Sequence, residues 1–584
     1  MILLEELIGR LSPALALRHG LRLLDQGQPK RAFPLLSRAA NAGNAEAAYR
    51  VGHCYMTQTG TPGSRPASLR WLTRAATLGH VEAQSLLAKL YLNGQLPRNA
   101  ELGTVPDSGL FDYPAASLVP DLYAALHWAR LAAEADSAEA QAVAGAILAM
   151  GPPELRDVAQ AKRWYQRSAA SNWPPGHLGY AMLLANEPNA AEQPAELVHH
   201  MRLAAEANLP MALYRYGLLI EQGVGAPADP AAAVTYFRRA AEQGEAAAQL
   251  RLGLALLRGD GVAQNLLEAE SWLRRAALAG DPHAAALVGD IYAQSGAGAL
   301  PPNYAEAANW FRRAAEGGHV GAARALGKMH LDGAGVPPDP REAARWLRMA
   351  GEAGDEEARQ RLANQVLHGA AGGENAALTR EWLRVAAEAG DQVSAYKYAV
   401  CLANGIGGPR DDAAAVEWVR RAAETVPLAQ LLYGQWLLEG RGLFQDPAHA
   451  RAWIARAADS GLHAAQVPLA DLMVNGTGGA KDPAGALALY EQAAERGHVG
   501  AMFAAGALRG GGHGVDADRP AAQKWYRLAA ERGHALAQLM LARYLAHGAT
   551  GDPDPESAGR WFREAAAQGL AEAEAELAAV ETIA

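Results

Sequence analysis

Residues 233–262, AVTYFRRAAEQGEAAAQLRLGLALLRGDGV, contain the two spacings from which the fold can be predicted. Tyr236 occupies a position that we call the anchor slot, four residues before an Ala-Ala pair. Gly253 follows seventeen residues later, in a position that we call the small slot. Both slots recur along the chain in steps of 36 residues, with single steps of 35, 38 and 57. A period of this length predicts tandem structural repeats.

The two slots differ in the size of their residues. Eleven of the thirteen tryptophans occupy the anchor slot, which is filled by Leu35, Trp71, Trp128, Trp164, His200, Tyr236, Trp272, Trp310, Trp346, Trp382, Trp418, Trp453, Leu489, Trp525 and Trp561. The small slot holds only Gly or Ala, at Gly52, Ala88, Gly145, Ala181, Gly217, Gly253, Gly289, Gly327, Ala363, Ala399, Gly434, Ala470, Gly506, Ala542 and Ala578. We expect the aromatic anchors to be buried between consecutive helical hairpins. We also expect two helix backbones to cross closely at the small slot, because a larger side chain would push them apart.

Capping residues mark the helix boundaries. The pair Asp446-Pro447 precedes an anchor helix, where Asp is a strong N-cap and Pro fits the first turn. Gly244 and Gly280 stand where anchor helices end, and Asp281 follows as an N-cap of the next helix. Each repeat is therefore predicted to be helix A around the small slot, a loop, helix B around the anchor, and a turn. The fold class is all-α, an α/α solenoid of about fifteen tandem helix-turn-helix repeats.

The repeats resemble a known family, the Sel1-like repeats (SLR), which are relatives of the tetratricopeptide repeats. Family helices A look like A-x-x-x-L-G-x-x-Y-x-x-G-x-G-V, and residues 248–262 read AQLRLGLALLRGDGV. Family helices B look like A-x-x-W-[YFL]-R-[KR]-A-A-E-x-G, and residues 233–244 read AVTYFRRAAEQG. The resemblance covers nearly the whole chain. It implies a right-handed superhelix, with helix A on the concave wall and helix B on the convex wall, and an adaptor role.

The same comparison suggests the domain organisation. We expect an N-terminal capping helix at 1–12, the repeats at 13–568 with an insertion at about 94–120, and a C-terminal capping helix at 569–584. A cysteine-rich branch of the family has been linked to β-lactam binding. Its helix-pair disulfides have no counterpart here, so that activity is not expected.

Composition excludes several classes of protein. The formal net charge of −9 argues against a nucleic-acid binder, which needs a strong basic face. Cys54 and Cys401 are the only cysteines, so no disulfide framework is available. The first twenty residues, MILLEELIGRLSPALALRHG, lack the basic start and the cleavage site of a signal peptide, and no stretch has a membrane-spanning run of apolar residues. These features predict a cytoplasmic protein, and the Arg-rich, Lys-poor content suits a GC-rich bacterial genome.

Apparent chemical motifs fall within the repeat pattern. Gly223-Val224-Gly225 and Gly259-Asp260-Gly261 recur between helices, whereas a phosphate loop should be unique and follow a strand. Four of the seventeen histidines, His80, His319, His498 and His534, share the slot after the turn glycine. No zinc-ligand spacing or nucleophile elbow is present. We therefore expect no catalytic residue, no cofactor and no metal.

Two features are particular to this chain. Three adjacent A helices carry apolar residues three before, one after or four after the small slot, at Leu178, Met182, Tyr214, Leu218, Leu250, Leu254 and Leu257. This stripe predicts a groove for an amphipathic helix or an extended peptide, and tighter packing within the repeats is the alternative. In the long insertion, Phe111 and Tyr113 are candidate contacts, although the insertion is equally compatible with a tolerated surface loop.

The sequence thus predicts a scaffold or adaptor that binds proteins or peptides. The alternatives are a structural subunit of an envelope or secretion assembly and a small-molecule or cell-wall-related binder or enzyme. The identity of the partners, the pathway and the oligomeric state are left open.

Overall fold

The computed structural model describes residues 12–96, 119–187, 194–294, 302–511 and 513–583, with side chains up to residue 579. Within these ranges the regular structure is helical and there are no strands. None of the helices in these ranges has the length and apolar character that crossing a lipid bilayer requires. The all-α prediction is confirmed.

The chain divides into two compact regions, Met1–Pro302 and Asn303–Ala584. In the first, the helices are α1 Pro13–Asp25, α2 Pro29–Asn41, α3 Ala45–Thr57, α4 Arg65–Thr77, α5 Val81–Leu92, α6 Leu122–Glu134, α7 Ala138–Met150, α8 Val158–Ala170, α9 Pro174–Ala185, α10 Pro194–Glu206, α11 Pro210–Gln222, α12 Pro230–Glu242, α13 Ala246–Arg258, α14 Leu266–Leu278 and α15 Pro282–Ala293.

In the second region, the helices are α16 Tyr304–Glu316, α17 Val320–Asp332, α18 Pro340–Glu352, α19 Glu356–Leu367, α20 Glu374–Glu388, α21 Gln392–Asn404, α22 Asp412–Ala422, α23 Pro427–Glu439, α24 Pro447–Asp459, α25 Gln466–Asn475, α26 Pro483–Glu495, α27 Val499–Arg509, α28 Arg519–Ala530, α29 Ala535–Ala546, α30 Pro555–Ala567 and α31 Ala571–Ile583. Odd-numbered helices correspond to the predicted helix A and even-numbered helices to helix B. Within each region, consecutive helices pack against one another in tandem. The two capping helices stay predictions. The N-terminal one, at 1–12, lies almost entirely outside the described ranges. Helix α31 lies within 569–584, where the C-terminal one is expected.

The small slot lies where the two helices of one repeat approach closely, as predicted. A Cβ built on Gly253 in α13 would lie 2.6 Å from Leu273 Cγ and 3.3 Å from the carbonyl oxygen of Ala269, both in α14. Gly145 in α7 is similar, since its Cβ would lie 2.9 Å from Tyr165 Cδ1 in α8. The side chain that fills this space belongs to the residue after the anchor.

The anchor residues are less deeply buried than the sequence suggested. Trp346, at 2% exposure, and Trp128, at 3%, are buried, as are Trp272 and Trp310 at 8%, but the other anchors are half-buried. The expectation that the aromatic anchors are buried between hairpins therefore holds for these four tryptophans, whereas the other aromatic anchors are only half-buried. An α-helix turns by about 100° per residue, so the anchor and the next residue face different neighbours. Trp382 shows this, because its ring lies beside Gly351 in the preceding B helix.

Arginines cover much of the anchor surface that remains. The residue three positions after the anchor is often Arg, and its guanidinium carbon lies over the anchor ring, at 5.3 Å for Arg74 on Trp71 and 4.5 Å for Arg275 on Trp272. Such cation–π contacts contribute about 0.5–1 kcal/mol each at partly exposed sites. A tryptophan at the edge of a repeat is thus shielded from water without being in the core.

The predicted Asp N-caps are present, and histidines in the same slot also cap helices. Asp281 Oδ1 accepts a hydrogen bond from the Ala284 backbone N–H at 2.8 Å, as an N-cap should. The histidines of the same slot do likewise through Nδ1, as His319 does for the N–H of Ala322 at 3.1 Å. The histidine slot is therefore a capping slot. Helix α25 is an exception, because it begins only at Gln466 after a 3₁₀ turn, His463–Ala465, two residues before Pro468.

Candidate binding surface

The A helices present one face built from three positions of each repeat: three before, one after and four after the small slot. We call this the A face. In α3 and α5 it lines a groove of about 500 Å³, to which Tyr49, His53, Met56, Ser85 and Lys89 contribute. The sequence assigned these positions to one wall but did not single out this groove. The groove could have been located from the register of the small slot, because the same three positions that define the apolar stripe also contribute its lining residues.

The groove between α3, α5 and α7 combines polar and apolar side chains. Lys89 Nζ lies 2.8 Å from Glu139 Oε1, and the hydroxyls of Ser85 and Ser137 are 3.0 Å apart. Burial lowers the pKa of His53, so the neutral imidazole is favoured there. This part of the A face therefore offers hydrogen bonds and paired charges beside the Tyr49 and Met56 side chains.

The predicted apolar stripe lies on the A face of α9, α11 and α13. We define the stripe as Leu178, Met182, Tyr214, Leu218, Leu250, Leu254 and Leu257, and all seven side chains are half-buried. Leu178, Met182, Tyr214, Leu218 and Leu257 pack against one hydrophobic cluster that includes Leu213 and Phe237. Each side chain thus has an inner part that supports the helix pair and an outer part that meets solvent.

The core behind the stripe is tightly packed, and an ion pair lies on the same face as the stripe. The Tyr214 and Phe237 ring centroids are 6.1 Å apart, and Leu213 is fully buried beside them. Arg251 Nη2 lies 2.5 Å from Glu221 Oε2, which occupies the A-face position four after Gly217 and joins α11 to α13. The stripe is therefore a set of apolar side chains on a firm support, with one ion pair on the same face.

A histidine pair lies beside the first helix of the stripe. His177, which is 4% exposed, is on α9, and its Nδ1 lies 2.7 Å from His200 Nδ1 on α10. His177 Nε2 is also 3.2 Å from Asn172 Oδ1. Burial lowers the pKa of both imidazoles, and the neighbouring histidine charges lower it further. At 2.7 Å one Nδ1 must donate and the other must accept. Protonation of both Nδ1 atoms would bring two N–H groups into repulsion.

Other sequence features have structural roles. Gly223 and Gly225 have φ of 72° and 75° in the turn between α11 and α12, which is the left-handed conformation expected of a turn. Within the described ranges, no three His, Cys, Asp or Glu side chains form a group that could hold a metal ion. Phe111 and Tyr113 lie outside the described residues.

Comparison with known proteins identifies the repeats. The Sel1 repeat family model matches fifteen stretches, residues 10–44, 45–80, 81–103, 116–137, 138–173, 210–245, 246–281, 282–319, 320–355, 357–391, 392–424, 427–462, 463–498, 499–534 and 535–570. Residues 174–209, which include α9 and α10, fall between two of these stretches.

Individual relatives are more distant. A stretch of 150 residues is 31% identical to Chitin synthase regulatory factor 3 of Schizosaccharomyces pombe, covering 25% of this chain and 14% of that protein. The c5321 protective antigen of uropathogenic Escherichia coli, which displays an SLR fold, is 22% identical over 94% of this chain and 91% of its own, with a TM-score of 0.38. A Sel1 repeat protein from Oxalobacter formigenes is 27% identical over 56% of this chain and 89% of its own, with a TM-score of 0.41.

Proposed function

The chain belongs to the Sel1 repeat family, and we propose that it is a non-catalytic scaffold or adaptor that binds partner proteins or peptides on the apolar stripe. Repeats of this family generally mediate protein–protein interactions. The partner would lie across α9, α11 and α13, within the first compact region.

One observation carries this proposal: the position after the small slot is apolar in three consecutive A helices. Met182, Leu218 and Leu254 occupy it there, whereas the same position holds His53 and Lys89 in earlier repeats. All three apolar side chains keep a solvent-exposed part. Partly exposed apolar side chains on the same face of adjacent helices are typical of a docking site for another polypeptide.

The strip suggests what kind of segment would bind. Apolar burial contributes about 25 cal/mol per Å², so half-buried side chains must be covered several at a time to offset the cost of association. A partner that places apolar residues along an amphipathic helix or an extended segment would do this. The Arg251–Glu221 pair on the same face would then orient polar groups of the partner.

Site-specific photo-crosslinking in the source cells tests the proposal. We expect p-benzoylphenylalanine in place of Leu218 or Leu254 to form a discrete covalent adduct with a partner polypeptide. The matched control is Leu267, which is 57% exposed on α14 and lies outside the stripe. Adducts of equal yield at Leu267, or none at Leu218 and Leu254, would contradict the proposal.

A charge variant separates binding from folding. Met182→Glu with Leu218→Glu should abolish the Leu254 adduct while helicity, measured by circular dichroism, is retained. Leu267→Glu is the matched control and should leave the adduct unchanged. Loss of helicity in the double variant would show that these side chains are needed as core rather than as a binding surface.

A further inference from the structure

A cavity of about 300 Å³ opens in the second compact region between the two helices of one repeat, α19 and α20, and the start of α21 in the next repeat. We call it the Trp382 cavity. It continues into a more open groove of about 590 Å³ that also borders Asp391 and Val393. A cavity of 300 Å³ is at the lower end of the range found for ligand sites.

The space beside Trp382 is bordered by Val385, three residues after the anchor. The position three after the anchor is Arg in many repeats and covers the anchor ring, as Arg421 does over Trp418 at 4.9 Å. Here that position holds Val385, which is 52% exposed and lines the cavity. Arg359 of α19 lies over the Trp382 ring instead, at 5.1 Å, and its Nε donates to the carbonyl oxygen of Gly351. One face of the anchor is therefore held by a residue of helix A, and the side toward Val385 is open.

Thr379 adds a buried hydroxyl without a partner to the wall of this cavity. Its side chain is 1% exposed and lines the space, yet Oγ1 has no hydrogen-bond partner within the described part of the chain. Ser68 occupies the equivalent position of an earlier repeat, and its hydroxyl donates to the small-slot carbonyl of Gly52 at 2.7 Å. Thr379 makes no such bond to its own helix A. A buried hydroxyl without a partner is costly, and it marks a place where a ligand or water is expected.

The remaining walls combine apolar and polar groups. Leu383, Ala386 and Ala389 form an apolar side with Trp382. Opposite them, Gln360 Nε2 donates to Ser394 Oγ at 3.1 Å, so those polar atoms already have partners. The Thr379 hydroxyl is thus a buried polar group without a partner in the wall of a cavity that also offers an aromatic ring, a guanidinium, aliphatic side chains and the Glu356 carboxylate.

We propose that the Trp382 cavity binds a phenolic group, whose ring packs against Trp382 and whose hydroxyl bonds to Thr379. An aromatic ring gains from contact with both the indole and the Arg359 guanidinium. The phenol belongs either to a free small molecule or to a tyrosine side chain of a bound polypeptide, which the groove beyond Val393 has room to accommodate. The proposal is independent of the role of the apolar stripe, which lies in the other compact region.

Titration of the full-length protein with p-cresol tests the proposal, with toluene as the probe that lacks the hydroxyl. By isothermal titration calorimetry we expect saturable binding of p-cresol and binding of toluene weaker by about 5- to 10-fold. Hydrogen exchange of residues 356–394 should slow in the presence of p-cresol. Absence of saturable binding, or equal affinity for the two probes, would overturn the proposal and leave the cavity to water.

Two variants locate the site. Thr379→Val keeps the side-chain shape and removes the hydroxyl, so it should remove the preference for p-cresol over toluene. Ala386→Leu should fill the cavity and abolish binding of both probes while helicity is retained. If both variants bind p-cresol as the parent protein does, the phenol binds elsewhere and the proposal fails.

Capped Gly-Tyr-Gly and Gly-Phe-Gly peptides distinguish the two sources of the phenol. Tighter binding of the tyrosine peptide than of p-cresol assigns the site to a side chain of a partner polypeptide. Binding of p-cresol without binding of the peptide assigns it to a free small molecule. For either assignment to hold, Thr379→Val must also weaken binding of the probe concerned, the tyrosine peptide or p-cresol.

Discussion

Gly217 in α11 lies so close to Phe237 in α12 that a Cβ on this glycine would come within 2.6 Å of the ring atom Cε1. Since Phe237 is 1% exposed, the ring has little freedom to move aside. We expect Gly217→Ala to lower the free energy of unfolding by about 1–3 kcal/mol, as overpacking does in dense cores. Urea unfolding, together with hydrogen exchange of residues 210–258, measures this effect.

A second change at the same contact tests the explanation. Phe237→Leu should make room for the new methyl group, so the double variant should lose less stability than the two single variants added together. Gly559→Ala is the matched control, because the nearest atom to a Cβ there is 3.9 Å away. It should stabilise α30 by about 0.5–1 kcal/mol through helix propensity. Strict additivity at Gly217 and Phe237 would show that the close approach does not determine stability.

Trp346 is the most deeply buried of the tryptophans in the anchor slot, at 2% exposure. Trp346→Ala should remove about 3–5 kcal/mol from the stability of its repeat and its neighbours, through lost burial and the cavity left behind. Faster hydrogen exchange across residues 320–390 is the expected readout. Trp525→Ala is the control, because that anchor is half-buried and the loss should be smaller. Equal losses at the two sites would mean that burial of the anchor is not what stabilises the stack.

The repeat pattern predicted the helices and their faces because spacing along the chain fixes both. The 36-residue period and the capping residues gave α-helical pairs, and the small slot predicted the close approach that Gly253 makes to Leu273. Depth could not be predicted in the same way. A periodic position shows that a side chain faces a neighbour, but packing between helices decides whether Trp525 or the following Tyr526 lies deeper.

In the candidate sites, too, the repeat spacing predicts which face a residue occupies but does not predict the packing between helices. The A-face positions were identifiable from the register of the small slot, so the place of Leu218 and Leu254 on one face could be predicted. The Trp382 cavity could not, because it depends on how far α19 and α20 stand apart. One signal was available in retrospect: Thr379 and Val385 replace the Ala and Arg of many other repeats at the same two positions. The contact of His177 with His200 likewise arises from packing across 23 residues.

The capping role of the histidine slot predicts which replacement is tolerated. His319→Ala removes the acceptor for the Ala322 N–H and should cost about 1 kcal/mol. His319→Asp should restore most of that loss, because Asp281 and Asp355 cap their helices from the same slot. Unfolding midpoints of the three proteins at pH 7.5 measure this. Equal stability of the Ala and Asp variants would show that the histidine side chain does not act as the cap.

The contact between His177 and His200 predicts that the repeat formed by α9 and α10 is less stable in mild acid. Burial lowers both pKa values below the ordinary 6.5, and the charges of the neighbouring histidines, including His199, add to this. Glu196 opposes the effect at His200. Because the unfolded chain takes up protons first as pH falls, stability should be complete above about pH 6.5 and decline below it, until the folded histidines are also protonated. Hydrogen exchange of residues 174–206, corrected for its intrinsic pH dependence, should therefore speed up between pH 7.5 and 5.5.

His177→Gln should flatten this response, since Gln84, Gln141 and Gln249 occupy the same position in other repeats and donate to a helix B carbonyl. His127→Gln, at an exposed position on α6, is the control and should leave the response intact. An unchanged pH response in His177→Gln would mean that the imidazole pair is not its source.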